Sequence, residues 1–269
     1  MNEEFLIWNG ELSPVDSIAV NPRSEGWLYG YGSFETMGLE SGQIRFWKDH
    51  WERLKGTMEA MGCRPPFSPE QIEEAVALLS QANHCGQGIA RLSWHRNGAS
   101  VDWMLRVFSP PPTPASWVVG IAEVPHPGLS PLSGWKTNNY LLNLHAYQAG
   151  RAQGWDEALL CRNGRIIEGT RSNVWGWQDG MLFTPPLSEG PLPGVVRKRI
   201  LAVAGSCGMV IRERVLAIEE LPSLKGFFLS NANLILRPVS QLGDYSFATN
   251  FDWLEPLRRE IGRGASSMG

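Results

Sequence analysis

The sequence has no apolar run that approaches the roughly 20 residues needed to cross a membrane. Its first residues, Met1-Asn2-Glu3-Glu4-Phe5, carry acid where a secretory signal carries base. We therefore expect neither a membrane-spanning segment nor a secretory signal. The expected compartment is the cytoplasm, and no membrane partner is expected.

Long basic stretches are missing as well. The longest is Arg197-Lys198-Arg199, and the formal net charge is -3. A surface that binds nucleic acid needs a cluster or stripe of lysine and arginine to neutralise phosphates. The sequence thus predicts no nucleic-acid partner, and a small molecule is expected instead.

Paired cysteines are also lacking. The four cysteines form no Cys-x-x-Cys pair and have no histidine at metal-ligand spacing. A disulfide framework or a metal centre is therefore disfavoured. We predict no metal site and four buried free thiols, at Cys63, Cys85, Cys161 and Cys207.

The residues that are present make an ordinary folded protein, with 43% hydrophobic and 10% aromatic content. A chain of 269 residues accommodates two modest domains. The proline-rich stretch Ser109-Pro110-Pro111-Pro112-Thr113-Pro114 breaks regular structure. It predicts a smaller N-terminal domain over residues 1–115 and a larger C-terminal domain over residues 116–269.

The first half mixes strand and helix patterns. Ser68-Pro69-Glu70-Gln71 combines an N-cap serine, a proline at the first helical position and a glutamine three residues after the cap, which predicts a helix start. A strand-like run over 34–39 should present Glu35 and Thr36 on opposite faces of a sheet, one of them inward. The other predicted elements are a strand at 5–8 that enters a turn at Asn9-Gly10, a strand at 43–46, a helix at 48–61, and strands at 88–94 and 101–108.

The second half is predicted to be largely antiparallel sheet, with Lys136 at a strand-to-helix transition. Pro256 disturbs the last predicted helix. Both halves are therefore expected to be α+β. The predicted strands lie at 117–124, 157–161, 165–168, 174–178, 181–184, 209–215 and 227–230, and the predicted helices follow Lys136 and cover 195–207 and 250–263.

Several motifs follow one another in a fixed order along nearly the whole chain. They are Gly30-Tyr31-Gly32-Ser33-Phe34-Glu35-Thr36, His50-Trp51-Glu52-Arg53-Leu54, Lys136-Thr137-Asn138-Asn139, Asp156-Glu157-Ala158-Leu159, Gly164-Arg165-Ile166-Ile167-Glu168-Gly169-Thr170-Arg171-Ser172-Asn173, Thr184-Pro185 and Gly194-Val195-Val196-Arg197. This series resembles the class IV aminotransferases, the fold type IV pyridoxal-phosphate enzymes, which include branched-chain and D-amino acid aminotransferases and aminodeoxychorismate lyase. The resemblance implies a two-domain α+β fold like that of D-amino acid aminotransferase, pyridoxal 5′-phosphate between the domains, and a homodimer.

Pyridoxal phosphate needs a lysine amine, an acid at its pyridine nitrogen and an anion site for its phosphate. Lys136 matches the family's lysine that binds the cofactor covalently, and the uncharged, partly aromatic stretch after it favours a desolvated amine. Glu168 matches the glutamate that keeps the pyridine nitrogen protonated. Arg53 matches the arginine at the cofactor phosphate, and Asn173 is a further cofactor-binding position. The alternative for Lys136 and Glu168 is a solvated surface side chain, which the surrounding motifs oppose.

Backbone amides are expected to complete the phosphate site. Val195 and Val196 open a helix, where free amides and the helix dipole favour an anion. Asn231 and Ala232 lie at a strand end and are expected to contribute likewise. The family often has threonine where this chain has Val196, so one hydroxyl contact is absent. Tyr140 either hydrogen-bonds the cofactor's phenolic oxygen or is a core aromatic residue, and the sequence favours neither.

Thr36 favours the lyase members of the family. They resemble this chain in carrying Phe-x-Thr, where branched-chain aminotransferases usually carry glycine, and the stretch 230–239 also looks closer to aminodeoxychorismate lyase. The hydroxyl would assist the elimination or contact the substrate. The alternative is a strand threonine present only for its β-branching.

The substrate carboxylate needs another partner, because many members carry arginine two residues after this threonine and the present chain has Gly38. Recognition would then fall to Arg96 or Arg91, and Tyr31 is a further candidate substrate contact.

Two functions follow from the resemblance. The first is a lyase that converts 4-amino-4-deoxychorismate to 4-aminobenzoate and pyruvate, with catalytic Lys136 and Thr36. The second is an aminotransferase that acts on branched-chain or D-amino acids. A third possibility, a cofactor-binding scaffold without turnover, is disfavoured because Lys136, Glu168 and Arg53 are all present.

Overall fold

The computed structural model describes residues 4–263, so residues 1–3 of the N-terminal segment considered above and residues 264–269 lie outside it. The chain forms two compact units. Among the described residues, the first unit holds 4–112 together with Trp135–Asn139, and the second holds 113–134 and 140–263. Each unit is an α+β structure with its own sheet.

The first unit contains a six-stranded antiparallel sheet in the order β2-β1-β6-β5-β3-β4. Its two longer helices pack on one face of that sheet. The strands are β1 (Phe5–Trp8), β2 (Glu11–Pro14), β3 (Gly32–Glu40), β4 (Gln43–Ile44), β5 (Gly88–Asn97) and β6 (Ser100–Phe108), and the helices are α1 (Glu25–Tyr29), α2 (Trp47–Ala60) and α3 (Pro69–Ala82).

Local chemistry explains these elements. Asn9 and Gly10 both have positive φ, as a two-residue hairpin turn between β1 and β2 requires. The predicted capping box is present at the start of α3, where the Ser68 amide donates to Gln71 Oε1 and the Gln71 amide donates to Ser68 Oγ. The apolar side chains of α2 and α3 pack on the inward side chains of the sheet, such as Met37 and Leu92.

The second unit contains a ten-stranded mixed sheet. The main path runs β12-β11-β10-β14-β15-β7-β8-β9-β13, and β16 pairs with β15. The strands are β7 (Trp117–Ile121), β8 (Glu157–Arg162), β9 (Arg165–Gly169), β10 (Asn173–Gln178), β11 (Met181–Thr184), β12 (Val210–Glu213), β13 (Leu216–Ala217), β14 (Gly226–Asn231), β15 (Ile235–Leu242) and β16 (Tyr245–Ser246), and the helices are α4 (Leu141–Ala152), α5 (Val195–Val203) and α6 (Leu254–Arg263).

One central strand of this sheet was not predicted from the sequence. β15 lies between β14 and β7, but Pro238 inside it removes an amide donor, and such residues usually mark edges or breaks. The strands β15, β7 and β8 pair in parallel, whereas a largely antiparallel sheet was expected. The last helix starts at Leu254, later than predicted, and Pro256 falls in its first turn, where a missing amide is tolerated.

Lys136 also lies elsewhere than expected. The sequence placed it in the second domain, whereas the backbone of Trp135–Asn139 pairs with the first unit. The amide of Phe34 donates to the Lys136 carbonyl at 3.0 Å, and the Asn138 amide donates to the Gly32 carbonyl at 2.9 Å. A β-bridge between Ser33 and Thr137 completes this contact. Two flanking backbone bonds therefore fix Lys136 against the start of β3.

The four cysteines are free thiols. Cys63 and Cys85 are buried as predicted, but Cys161 and Cys207 are only partly buried. Within residues 4–263, no helix is long and apolar enough to cross a membrane. The same part of the chain contains no group of three or more His, Cys, Asp or Glu side chains that could hold a metal ion.

Candidate active site

The first unit brings two cations to one aromatic ring. The Lys136 amine lies 4.5 Å from the centroid of the Phe34 ring, and the Arg91 guanidinium carbon lies 4.0 Å from the same centroid. Each cation gains attraction from the ring face. Because two like charges close together repel each other, an anion beside this ring is favoured.

Thr36 shares this face of the sheet. Side chains alternate along β3, so Thr36 projects to the same side as Phe34 while Met37 and Leu39 enter the core. Thr36 also pairs directly with Arg91 of β5. The hydroxyl, the Lys136 amine and the Arg91 guanidinium therefore lie on one side of the first sheet.

A third cation on this face was not expected from the sequence. A Cβ atom at Gly38 would lie 2.1 Å from Nη2 of Arg45, so the Arg45 guanidinium occupies the space that a side chain at Gly38 would take. The Arg45 amide donates to the Gly38 carbonyl, which fixes its backbone. Burial lowers the pKa of Arg45, and Glu40 opposes that effect. Gly38, which departs from the family pattern, was the only sequence signal for it.

Arg96 and Tyr31 are placed differently from Arg91. Side-chain alternation along β5 directs Arg96 to the opposite side of the sheet from Arg91. The Arg96 Nε donates to the Gly98 carbonyl, and its guanidinium lies 5.4 Å from the Tyr31 ring centroid. The Tyr31 hydroxyl donates to the Met61 carbonyl. Of the two predicted arginines, only Arg91 shares a face with Lys136.

Arg53 binds a buried carboxylate. Its Nε donates to Glu35 Oε1 at 2.8 Å, its Nη2 donates to Glu35 Oε2 at 2.6 Å, and His50 Nδ1 lies 2.7 Å from Oε2. Burial opposes ionisation of Glu35, but the charge and hydrogen bonds of Arg53, with His50, lower its pKa to about 2. Glu35 is thus the inward-facing residue of the Glu35–Thr36 pair, and Arg53 reaches it from the helical side of the sheet.

The second unit holds Glu168 with two donors. The Leu192 amide donates to Oε2 at 2.9 Å, and His126 Nε2 lies 3.3 Å from Oε1. Glu168 is the second-last residue of β9 in the mixed sheet, and 13% of its side chain is exposed. His126 was not predicted from the sequence, since 42 residues separate it from Glu168.

The start of α5 lies next to this carboxylate. Asn173 Nδ2 donates to the Leu192 carbonyl at 2.8 Å, which ties β10 to the segment leading into the helix. A Cβ at Gly194 would lie 2.1 Å from Asn173 Oδ1, so this position has no room for a side chain. No side chain caps the helix, and Val195 and Val196 begin it. Their amides point out of the first turn, where an anion is favoured.

The loop after β14 adds a tight turn to the second unit. Asn231 Oδ1 accepts hydrogen bonds from the amides of Asn233 and Leu234, at 3.1 and 2.9 Å. The side chain of Asn231 therefore shapes the turn, and a contribution from Asn231 and Ala232 to an anion site would come from their backbone. Ile235 follows with a φ of 61°, which a β-branched residue adopts only under constraint from its surroundings.

Tyr140 has a partner in its own unit. Its hydroxyl donates to the Thr170 carbonyl at 2.7 Å, and Asn143 Nδ2 donates to the same oxygen at 2.9 Å. These bonds attach the start of α4 to the loop after Glu168. A contact with the cofactor's phenolic oxygen is compatible only with the remaining lone pairs of the hydroxyl.

The second unit fits pyridoxal phosphate in two respects. It presents a carboxylate for a ring N–H, and three residues after Leu192 it presents an uncapped helix start for a phosphate. Three residues span at most about 10 Å of chain, a distance that a pyridine ring with one phosphate-bearing carbon can bridge. The donor set of this unit therefore suits the two ends of the cofactor.

Comparison with known proteins identifies the family. Residues 32–242 match the model of amino-transferase class IV, and the chain belongs to this family. The branched-chain-amino-acid aminotransferase of Salmonella typhimurium is 35% identical over 265 residues, which cover 88% of this chain and 84% of that protein.

Two solved structures show the same fold. A Legionella pneumophila protein provisionally named 4-amino-4-deoxychorismate lyase matches with a TM-score of 0.84 and 22% identity, over 92% of this chain and 96% of that one. A hypothetical aminotransferase from Mycobacterium tuberculosis, in its PLP-bound form, matches with a TM-score of 0.82 and 20% identity, over 98% and 99%.

Family membership confirms three predictions from the motifs. The fold is that of the fold type IV enzymes, the protein is an aminotransferase or lyase of class IV, and its cofactor is pyridoxal 5′-phosphate. The family also implies amino-acid substrates.

Proposed function

We propose that this protein is a pyridoxal-phosphate-dependent lyase that releases pyruvate from 4-amino-4-deoxychorismate to give 4-aminobenzoate. The observation that carries the proposal is the face of the first sheet where Thr36, Arg91 and Arg45 accompany Lys136. The substrate has two carboxylates, one on its ring and one on its enolpyruvyl group. Two guanidinium groups on this face suit such a substrate better than one with a single carboxylate and an apolar side chain.

Lys136 has two tasks in this proposal. Its amine would hold the cofactor covalently and, when released, would take the proton from the carbon that bears the substrate amine. The bound cofactor supplies an electron sink for the electrons that this proton leaves behind. The ether bond to the enolpyruvyl group then breaks, its CH₂ carbon gains a proton, and pyruvate departs as the ring becomes aromatic. Thr36 supplies a hydroxyl on the same face to assist this elimination.

The remaining predicted residues hold the cofactor. Glu168 would keep the pyridine nitrogen protonated, because its charge would stabilise the N–H⁺ form. Phosphate would be held by the amides of Val195 and Val196 and by the backbone of Asn231 and Ala232. Arg53 remains a proposed phosphate partner, although Glu35 already engages two of its nitrogens. Asn173 and Tyr140 would stabilise the backbone around this site, through their hydrogen bonds to the carbonyls of Leu192 and Thr170.

An aminotransferase is the second candidate, and the named relatives favour it. The Salmonella typhimurium relative is a branched-chain-amino-acid aminotransferase at 35% identity. In this function Lys136 would return the proton to the cofactor, and no leaving group would depart from the substrate. A keto acid would be the product. Arg91 would bind the α-carboxylate of a branched-chain or D-amino acid.

Product analysis distinguishes the two. Purified holoenzyme is incubated with 4-amino-4-deoxychorismate, and 4-aminobenzoate and pyruvate are quantified; a parallel panel offers branched-chain and D-amino acids with 2-oxoglutarate or pyruvate. The proposal predicts equimolar 4-aminobenzoate and pyruvate without any added keto acid. Turnover only in the amino-acid panel would establish the aminotransferase instead. The same preparation tests the proposed homodimer by light scattering, where a fully active monomer would contradict it.

A further inference from the structure

His126 contacts Glu168 but no residue motif points to it. Its ring is 5% exposed, and its Nε2 lies 3.3 Å from Glu168 Oε1. The other ring nitrogen, Nδ1, lies 2.9 Å from the amide of Gly128. The two contacts leave both ring nitrogens occupied, so the orientation of the imidazole is fixed at both ends.

These contacts determine which tautomer is present. The Gly128 amide can only donate, so Nδ1 must accept and carries no proton. The single proton of the neutral ring is then on Nε2, which donates to Glu168. A second proton on Nδ1 would face the Gly128 N–H and break that bond. The turn at Gly128, whose φ is 83°, therefore keeps His126 a neutral donor.

The second donor to Glu168 is coupled to this turn. A Cβ at Gly190 would lie 2.8 Å from the Gly128 carbonyl carbon and oxygen, so the two backbones are in close contact. Gly190 begins the short segment that leads to Leu192, whose amide binds Glu168 Oε2. Each carboxylate oxygen thus has one neutral donor. Since an oxygen of a carboxylate accepts about two hydrogen bonds, each keeps a lone pair for a further donor.

A neutral donor and a cation have different effects on a carboxylate. A cation would satisfy the charge of Glu168 within the protein, whereas an imidazole N–H orients the group and leaves its negative charge for a bound cation. We propose that His126 is a positioning residue that holds Glu168 for a protonated ring nitrogen of the cofactor through its neutral Nε2–H. This inference rests on the role of Glu168 in the proposed function.

Two substitutions separate the donor from the turn. His126→Gln places an amide N–H near the position of Nε2 but loses the acceptor for Gly128. His126→Asn places an oxygen near the position of Nδ1 but loses the donor to Glu168. Thermal unfolding of both variants checks that they fold. Neither substitution touches the lysine or a residue assigned to the phosphate.

The readouts are cofactor affinity and turnover. Affinity is measured by titrating pyridoxal 5′-phosphate into the apoprotein and following tryptophan fluorescence, and the protonation of the bound ring is followed by the ¹⁵N chemical shift of labelled cofactor. We expect His126→Asn to weaken affinity and slow turnover by about tenfold each, as for loss of a hydrogen bond to a charged group. His126→Gln should remain within about threefold of the wild type. In a Glu168→Gln background, His126→Asn should add almost nothing, because the two residues act as one unit.

Three outcomes would overturn the inference. One is an Asn variant that matches the wild type while the Gln variant is impaired, which would assign His126 to the Gly128 turn alone. Another is full additivity of His126→Asn with Glu168→Gln. The third is an unchanged ¹⁵N shift in His126→Asn when Glu168→Gln changes it. A Glu168→Gln protein that equals the wild type in affinity, shift and turnover would instead contradict the proposed role of Glu168 itself.

Discussion

Glu35 and Glu168 are both strand carboxylates, one in each unit, and their partners are of opposite kinds. Glu35 is 1% exposed and is bound by the Arg53 guanidinium and by His50. Glu168 is partly exposed and is bound by the Leu192 amide and by the His126 imidazole. The negative charge of Glu35 is balanced by a cation of the protein. Within the described part of the chain, Glu168 is held in place without such a cation.

The difference in partners favours Glu168 over Glu35 as the carboxylate that would meet a cofactor. In a buried ion pair such as Glu35 with Arg53, the charge of the carboxylate is already balanced within the protein. A carboxylate with neutral donors retains attraction for a cation that arrives from outside. The family motifs favour Glu168 as the partner of the cofactor, and the difference in partners gives that preference a physical reason.

Removal of Lys136 tests whether this lysine holds the cofactor covalently. Lys136→Ala should lower turnover by several orders of magnitude, since the covalent holder and the proton carrier disappear together. Borohydride reduction followed by mass spectrometry should no longer attach the cofactor to the chain. Lys225→Ala, at an exposed lysine paired with Asp179, is the matched control and should behave like the wild type. Trapping on another lysine in Lys136→Ala would refute the assignment.

Loss of charge at the structural carboxylate should affect folding. Glu35→Gln leaves the Arg53 guanidinium without its charge partner, and breaking a buried pair costs about 3–5 kcal/mol. Urea unfolding of the apoprotein measures this loss. Unfolding at the wild-type urea concentration would show that the pair contributes little, and would remove the distinction drawn between the two carboxylates.

The same pair predicts a dependence on pH. The pKa of Glu35 is lowered from 4.5 to about 2 in the folded protein, so its contribution to stability is present above 4.5 and is lost as the pH falls towards 2. The stability difference between wild type and Glu35→Gln should therefore shrink over that interval. Glu157 is a control of opposite sign: burial raises its pKa, so its unfavourable contribution grows as the pH rises above 4.5. A difference independent of pH would contradict the prediction for Glu35.

The same change at the oriented carboxylate should affect activity instead. Glu168→Gln preserves acceptance from Leu192 but cannot stabilise a protonated pyridine nitrogen, so we expect kcat to fall by about a hundredfold. Among residues 4–263 no lysine or arginine pairs with Glu168, so the urea midpoint of the apoprotein should change far less than in Glu35→Gln. Steady-state kinetics and urea unfolding of both variants provide the measurement. Wild-type turnover in Glu168→Gln would exclude this carboxylate from the mechanism.

Local patterns predicted most elements of the fold. The Asn9-Gly10 turn and the capping box at Ser68 depend on contacts within a few residues, which a sequence shows directly. β15 was not predicted, because Pro238 within it is a local signal for a break in the strand. The strand is stabilised instead by its pairing with β14 and with β7, the latter being distant in sequence. The position of Lys136 also depended on long-range pairing with β3.

The site residues divide along the same line. The family motifs predicted Lys136 and Glu168, and Arg91 was an alternative to Arg96 for the substrate carboxylate. The sequence did not predict the side chains that contact this region from elsewhere in the chain. His126 contacts Glu168 although 42 residues separate them in sequence. Arg45 fills the space over Gly38 because the β3–β4 hairpin turns the chain back on itself. A single sequence contains no distance between such residues. Only Gly38, as a departure from the family pattern, indicated that an arginine had to come from another position.

Thr36 gives the smallest expected effect and sharpens the comparison from the other side. It neighbours Glu35 on β3, yet it faces Lys136 and Arg91 while Glu35 faces the core. Thr36→Val keeps the shape and β-branching, so stability should change little. In a lyase the lost hydroxyl should slow elimination by about fivefold to tenfold without weakening cofactor affinity, as for loss of one hydrogen bond of about 1 kcal/mol or slightly more. In an aminotransferase the change should instead alter substrate preference by a similar factor. Both activities are measured in wild type and variant, with Met37→Leu on the core face as a packing control. An unchanged elimination rate together with unchanged substrate preference would leave Thr36 as a strand residue only.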